Sequence, residues 1–308
     1  FEASAVTRIT NQVDQSKHKI AASSTFAEAE GYGTDLFARK VKITVGSEGS
    51  GSGGSGDGDK DKDKDKDQDK DKDKDKGAFT GGVDGKGNGE DGTPLSKGAN
   101  SLAMDAYLTG YDQEADPAGS DYFTLAAKLK KAKKNSIQIG WNSAPGAMEY
   151  RVYATKCGKG NKFAKVASVN STSYLYTDYN GKKLKKGNYY RFIIVAVDEK
   201  GDVVSTSKTV HAATLGGKVG NCKKIKTKAK KNKAKVKVNK TFKLKTKQVA
   251  EKKKAKIKKH RALQYESTNP AVATVNKKGT IKGVSKGSCE VYVYAQDGVC
   301  AKIKVTVK

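Results

Sequence analysis

The residue types able to do chemistry are few and scattered. His18, His211 and His260 lie far apart in the chain, and Cys157, Cys222, Cys289 and Cys300 form no CxxC pair and have no histidine at metal-ligand spacing. A Ser-His-Asp or Cys-His centre needs a base oriented by a third group, and nothing around these histidines supplies one. No catalytic residue, metal ligand or cofactor site is therefore expected. The tract from Asp57 to Lys76 holds 10 Asp and 8 Lys. A calcium loop would need a turn glycine and a distal glutamate, whereas here a lysine follows almost every aspartate, so the tract is read as a solvated spacer.

Two groups remain as candidate binding residues. Lys200-Gly201-Asp202 sits where a strand-connecting turn is expected and has the form of an integrin-type tripeptide, although the same residues are ordinary turn chemistry. The second group is Lys235, Lys237, Lys243 and Lys245, within a basic run from Lys223 to Lys259 whose lysines alternate with apolar residues such as Val236, Val238, Phe242 and Leu244. That alternation puts them on the solvent faces of strands.

Charge is unevenly distributed. Residues 1–119 carry 16 basic against 23 acidic side chains, residues 120–215 carry 17 against 6, and residues 216–308 carry 28 against 4, a net of +24. A magnitude of about 2 to 8 suffices to keep a small domain soluble, so an anionic partner is expected for the last segment. The whole chain has five arginines and the basic run lacks interleaved aromatics, which argues against specific nucleic-acid recognition. No stretch approaches the roughly 20 apolar residues of a membrane span.

The elements that must carry these residues are strands. Residues 1–46 end in Val41, Ile43 and Val45 with period-2 alternation, the expected tail of an upstream β-domain that precedes Phe1. Residues 47–119 are expected to be a disordered Gly/Ser and Asp-Lys linker, with a coil span of roughly 45 to 50 Å. Within it, Leu102, Met104, Tyr107 and Leu108 allow one or two helical turns behind Ser101 as a cap. From 120 to 215, seven short alternating segments separated by turn residues predict a sandwich, and 216–308 repeat the habit. If Gln296-Asp297-Gly298 is a hairpin loop, Cys289 and Cys300 face opposite ways and do not pair; a Cys222 to Cys300 bond stays open beside four free thiols.

The first sandwich resembles a fibronectin type III domain. Trp141 ends the strand Ile137 to Trp141, Tyr150-Arg151-Val152-Tyr153 follows, and Leu184-Lys185-Lys186-Gly187-Asn188-Tyr189-Tyr190 leads into an alternating apolar strand. The resemblance implies core roles for Trp141, Tyr153 and Leu184, and a tyrosine corner in which the Tyr190 hydroxyl bonds back to backbone near Leu184. The second sandwich resembles a group 2 bacterial Ig-like domain, through Tyr265-Glu266-Ser267-Thr268-Asn269-Pro270-Ala271-Val272-Ala273-Thr274-Val275, Gly279 to Val284 and Lys286-Gly287, with Tyr265 at the family's Trp position.

Together these readings give an all-β chain: two tandem immunoglobulin-like β-sandwiches preceded by a long linker. The resemblances imply a non-catalytic, extracellular, monomeric module pair for adhesion, wall contact or spacing at a bacterial surface. Its expected partner is an anionic cell-wall polymer or acidic surface glycan, with a host surface protein as a further possibility. The rival reading makes the same residues the accessory region of a larger secreted carbohydrate- or protein-degrading enzyme.

Overall fold

A computed structural model describes residues 18–21, 44–47, 81–117, 120–252 and 255–308. In the N-terminal unit, β1 (His18–Ala21) pairs antiparallel with β2 (Thr44–Ser47); most of the expected 1–46 tail, and residues 48–80 and 118–119 of the expected linker, lie outside the described residues.

The first sandwich sets a three-stranded sheet, β3 (Lys128–Ala132), β4 (Ile137–Gly140) and β7 (Ser173–Tyr176) in the order β3-β4-β7, against a larger sheet. The larger sheet runs β11 (Val203–Thr206), β10 (Tyr189–Val197), β5 (Glu149–Lys156), β6 (Ala164–Val169), and β12 (Val210–Ala213) also pairs with β10. The short pair β8 (Asp178–Tyr179) and β9 (Lys182–Lys183) lies beside the Leu184 turn. Between the sheets, Ile137, Ile139, Trp141, Tyr150, Val152, Tyr176, Phe192 and Ile194 form the core. Of the seven expected segments, the first, Tyr122 to Leu129, becomes a strand only from Lys128, because residues 122–125 form a turn, and the last, Val203 to His211, is split into β11 and β12.

The main correction concerns residues 81–117, expected to belong to the disordered linker. They are folded onto the first sandwich. Helix α1 (Ser101–Gly110) runs about three turns, and its cap is Asn100, whose side chain accepts from the Leu102 and Ala103 amides, with Ser101 already inside the helix. Leu95, Ala99, Met104 and Leu108 pack with Tyr153, Phe163, Ile193, Val195, Val197 and Val203 in a second core on the outer face of the larger sheet. This explains why β10 is apolar on both faces from Phe192 to Val197: Phe192, Ile194 and Ala196 are buried against the opposing sheet, and Ile193, Val195 and Val197 beneath α1 and its approach.

The second sandwich has a four-stranded sheet in the order β14-β21-β20-β17: β14 (Lys233–Val236), β21 (Cys300–Val307), β20 (Gly287–Tyr294) and β17 (Gln264–Ser267), with β14 parallel to β21. Opposite lie β15 (Thr241–Lys243), β19 (Thr280–Gly283) and β18 (Ala273–Val275), while β13 (Cys222–Lys226) pairs with β16 (Lys247–Ala250). Val291, Val293, Ile303, Val305, Ile281 and Leu244 fill the space between. Tyr265 is half-buried over Gly279, where a β-carbon would come within 2.7 Å of its ring. All four cysteines are free thiols, so Cys222 and Cys300 are not bonded.

Candidate functional site

The alternation of the basic run becomes strand geometry. Along β14, Lys233 and Lys235 are exposed while Ala234 and Val236 are buried, and along β21, Lys302 and Lys304 are exposed between buried Ala301, Ile303 and Val305. Lys233 stands directly across from Lys304 in the parallel ladder. Like charges in that position repel, so the sheet keeps them at a cost in stability. Relief is partial: Glu290 stands across from Lys304 in the antiparallel ladder with β20 and pairs with Lys302 at 2.7 Å, whereas Glu266 lies near Lys208 at 3.6 Å and Asp297 is buried at the boundary with the first sandwich. Lys235, Lys237, Lys243 and Lys245 are all exposed but are not one patch: Lys235 belongs to the four-stranded sheet, Lys243 to the three-stranded one, and Lys237 and Lys245 follow those strands.

Lys200-Gly201-Asp202 forms the turn between β10 and β11, as its residue types require, with Lys200 exposed and Gly201 buried. The Asp198 carboxylate accepts from the Lys200 and Asp202 amides at 2.9 Å each, and Ser101 donates its hydroxyl to the Gly201 carbonyl at 2.8 Å. Gly201 is buried at φ 83°, and a β-carbon there would lie 2.5 Å from Ser101 Oγ. The tripeptide is thus a packed turn beneath α1. The expected core residues Trp141, Tyr153, Leu184 and Tyr190 are buried, and the Tyr190 hydroxyl accepts from the Lys185 amide at 3.1 Å.

The sandwiches meet across a junction that the sequence reading did not foresee. The Gln296-Asp297-Gly298 turn presses on the first sandwich: the Asp297 carbonyl accepts from the Leu129 amide at 2.9 Å, and the Gln296 carbonyl from the His211 amide at 2.7 Å. Tyr122 stacks on Tyr294 with ring centres 4.1 Å apart and donates to the Gly298 carbonyl at 2.8 Å. Arg261 of the second sandwich pairs with Asp116 at 2.6 Å, both side chains almost fully enclosed.

At the edge of this junction, four donors converge. Glu114 follows α1, Cys157 ends β5, His211 lies on β12, and His260 precedes β17; one ligand atom from each falls within 4.8 Å of the others. The two imidazoles are nearly parallel, 5.5 Å apart, and Glu114 Oε2 lies 3.1 Å from His211 Nδ1 and 3.3 Å from His260 Nδ1. Cys157 Sγ is 3.4 Å from His211 Nδ1. Burial pushes the Cys157 thiol up and the His211 imidazole down. Burial also works to raise the Glu114 carboxyl, but the two imidazoles and the Gly158 amide outweigh it and hold it well below the usual range. His211 and His260, far apart along the chain, are thus brought together with Cys157 by strand order and docking of the second sandwich, and spacing along the chain carries no trace of it.

Residues 223–307 match the family model of the bacterial Ig-like domain (group 2). Among solved structures, the chain is similar to an Fn3-like protein from Clostridium thermocellum at 26% identity, covering 30% of this chain and 90% of that one, TM-score 0.23. It is also similar to the fibronectin(III)-like modules of CbhA from Clostridium thermocellum at 12% identity, covering 59% and 94%, TM-score 0.22. A third similarity is to the fibronectin type III domain of human fibronectin type III domain containing protein 3, at 20% identity, covering 32% and 90%, TM-score 0.25. No curated protein matches the chain. Among the described residues, no helix is long and apolar enough to cross a membrane. The chain thus carries two β-sandwiches, of which the second matches the group 2 bacterial Ig-like model over residues 223–307.

Proposed function

We propose that this chain is a non-catalytic extracellular module pair that holds an anionic polymer of a bacterial surface, such as wall teichoic acid or an acidic glycan, through the lysines of its second sandwich. The observation that carries the reading is the exposed lysine row on β14 and β21, kept in like-charge register at Lys233 and Lys304. A surface built only for solubility gains nothing from that juxtaposition, whereas a polyanion laid along it relieves the repulsion. Lysine ammoniums are compact point charges without the planar fork of arginine, so they suit a flexible phosphate or uronate chain better than a defined epitope. Binding of this kind is driven by counterion release and weakens steeply with salt.

The test is retention of the full chain on immobilised teichoic acid across a sodium chloride series, with a neutral β-glucan as control. Retention that is lost by a few hundred millimolar salt, where screening reaches several Å, supports the reading. It should fall in Lys233→Gln/Lys235→Gln/Lys304→Gln and stay unchanged in Lys200→Gln, whose turn is packed beneath α1. Equal retention on the neutral glucan, or retention indifferent to salt, would show that the lysines only solubilise the module.

A further inference from the structure

We propose that Glu114, Cys157, His211 and His260 bind one divalent transition-metal ion, of which zinc fits the donors best, and that this ion clasps the two sandwiches together. The donor set is the first reason. Two imidazoles, one thiolate and one carboxylate are borderline-to-soft ligands suited to zinc or cobalt, while calcium and magnesium take oxygen shells. Spacing is the second. Bonds of about 2.0 to 2.3 Å in a tetrahedron place neighbouring donors about 3.3 to 3.8 Å apart. The contacts of 3.1, 3.3 and 3.4 Å among Oε2, Sγ and the two Nδ1 atoms are already of that size, and no pair exceeds 4.8 Å.

The orientation of the groups is the third reason. Glu114 Oε2 is enclosed and close to both Nδ1 atoms, yet neither ring is aligned to give it a hydrogen bond. An ion set between these donors would satisfy the enclosed Oε2 that no hydrogen bond satisfies. The other carboxylate oxygen is fixed by the Gly158 amide at 2.7 Å, which turns Oε2 toward the rings. Both histidine backbones hang on the single buried residue Gln296: its carbonyl accepts from the His211 amide at 2.7 Å, and its Oε1 from the His260 amide at 2.8 Å. Tyr189 packs against the His260 ring at 4.7 Å. Such outer support holds ligands in place in metal sites.

Charge balances as well. An ion of +2 with one carboxylate and one thiolate is neutral, and binding releases the Cys157 thiol proton to solvent. His211 is fully enclosed while the Glu114 side chain keeps 30% exposure, which leaves an approach from its side. Three ligands belong to the first sandwich and its cover, and only His260 belongs to the second, so the ion would close the junction beside the Arg261–Asp116 pair.

The test uses the full chain stripped with a strong chelator and titrated with cobalt(II) chloride. One equivalent should bind, giving a tetrahedral visible absorption and a near-ultraviolet thiolate-to-cobalt band, both abolished by zinc chloride. Cys157→Ser should lose the thiolate band, and His260→Ala should bind at least tenfold more weakly. Zinc should raise the melting temperature of the wild type and raise that of His260→Ala by clearly less at the same zinc concentration, while both proteins melt alike in chelator, which shows that the variant folds. Absence of the bands in the wild type, a thiolate band surviving in Cys157→Ser, or an equal zinc shift in His260→Ala would overturn the proposal. Polymer retention does not enter, so failure here is separable from failure of the surface-binding reading.

Discussion

Gly298 of the second sandwich lies against Ala127 of the first so closely that a β-carbon at position 298 would stand 2.2 Å from the Ala127 carbonyl oxygen. The two sandwiches therefore meet backbone to backbone at this point, and Gly298 also holds φ 77°, which favours glycine for a second reason. Together with the Tyr122–Tyr294 stack, this makes the pair one mechanical unit and not two beads on a string. Calorimetry of the full chain should show the wild-type sandwiches unfolding in a single transition. Gly298→Ala should split it in two and cost the second sandwich about 1 to 3 kcal/mol through backbone strain, more where the clash forces the turn away. A variant that still melts in one transition at the wild-type temperature would show that the contact is not needed.

The same coupling changes what a core deletion does. Trp141→Ala should cost about 3 to 5 kcal/mol as a large buried deletion, and Tyr190→Phe about 1 to 3, because the Lys185 amide loses its acceptor. Both should lower the unfolding temperature of the second sandwich too, which loses its docked neighbour. Denaturant melts followed by fluorescence of Trp141, the single tryptophan, and by circular dichroism would check the Tyr190 variant. A second sandwich that is indifferent to both substitutions would mean the junction carries little energy.

Much of the fold was legible in the sequence because its determinants are local. Alternation, turn residues and the Leu184 to Tyr190 segment fix strands and faces without knowledge of distant contacts. The stretch Phe192 to Val197 of β10, apolar at consecutive positions, carried a further message, that both of its faces need cover, and Met104 and Leu108 at helical spacing supply it. The junction was not legible, since Gln296-Asp297-Gly298 is equally good turn chemistry in water and in an interface. The four-donor cluster was less so: Glu114, Cys157, His211 and His260 sit on four separate segments, and only the strand order and the docking of the second sandwich make them neighbours.

The Asp297 carboxyl gives the junction a pH dependence. Burial pushes its pKa up to about 6, against amide hydrogen bonds from Cys222 and Val299 and the charge of Arg261, which pull it down. In the unfolded chain the value is near 3.9. Between about pH 4 and 6 the folded protein keeps a proton that the unfolded chain has released, so stability from this group falls as pH rises through that window, by roughly 3 kcal/mol in all. Tyr189 faces the same carboxylate but stays neutral there, its own pKa pushed up to about 12 by burial. Urea unfolding from pH 4 to 7 should therefore show Asp297→Asn gaining on the wild type as pH rises. Parallel pH profiles would mean that the carboxyl titrates alike in both states.

The cover formed by residues 81–117 should be as necessary to the first sandwich as its inner core. Met104 and Leu108 are fully enclosed in the cluster they form with Ile193, Val195 and Val197 on the outer face of the larger sheet. Removing either cover residue to alanine leaves a cavity worth about 2 to 5 kcal/mol, and the pair should fall short of additivity because they share the same neighbours. Trypsin tests the arrangement directly. The Asp-Lys tract offers lysines in a segment without apolar residues, so cleavage there should leave a resistant fragment that keeps α1 and both sandwiches. In Met104→Ala/Leu108→Ala, cleavage should advance past Lys97 to the lysines of the first sandwich. Resistant fragments that begin near Tyr122 in the wild type, or unchanged resistance in the double variant, would show that α1 rests on the sheet without stabilising it.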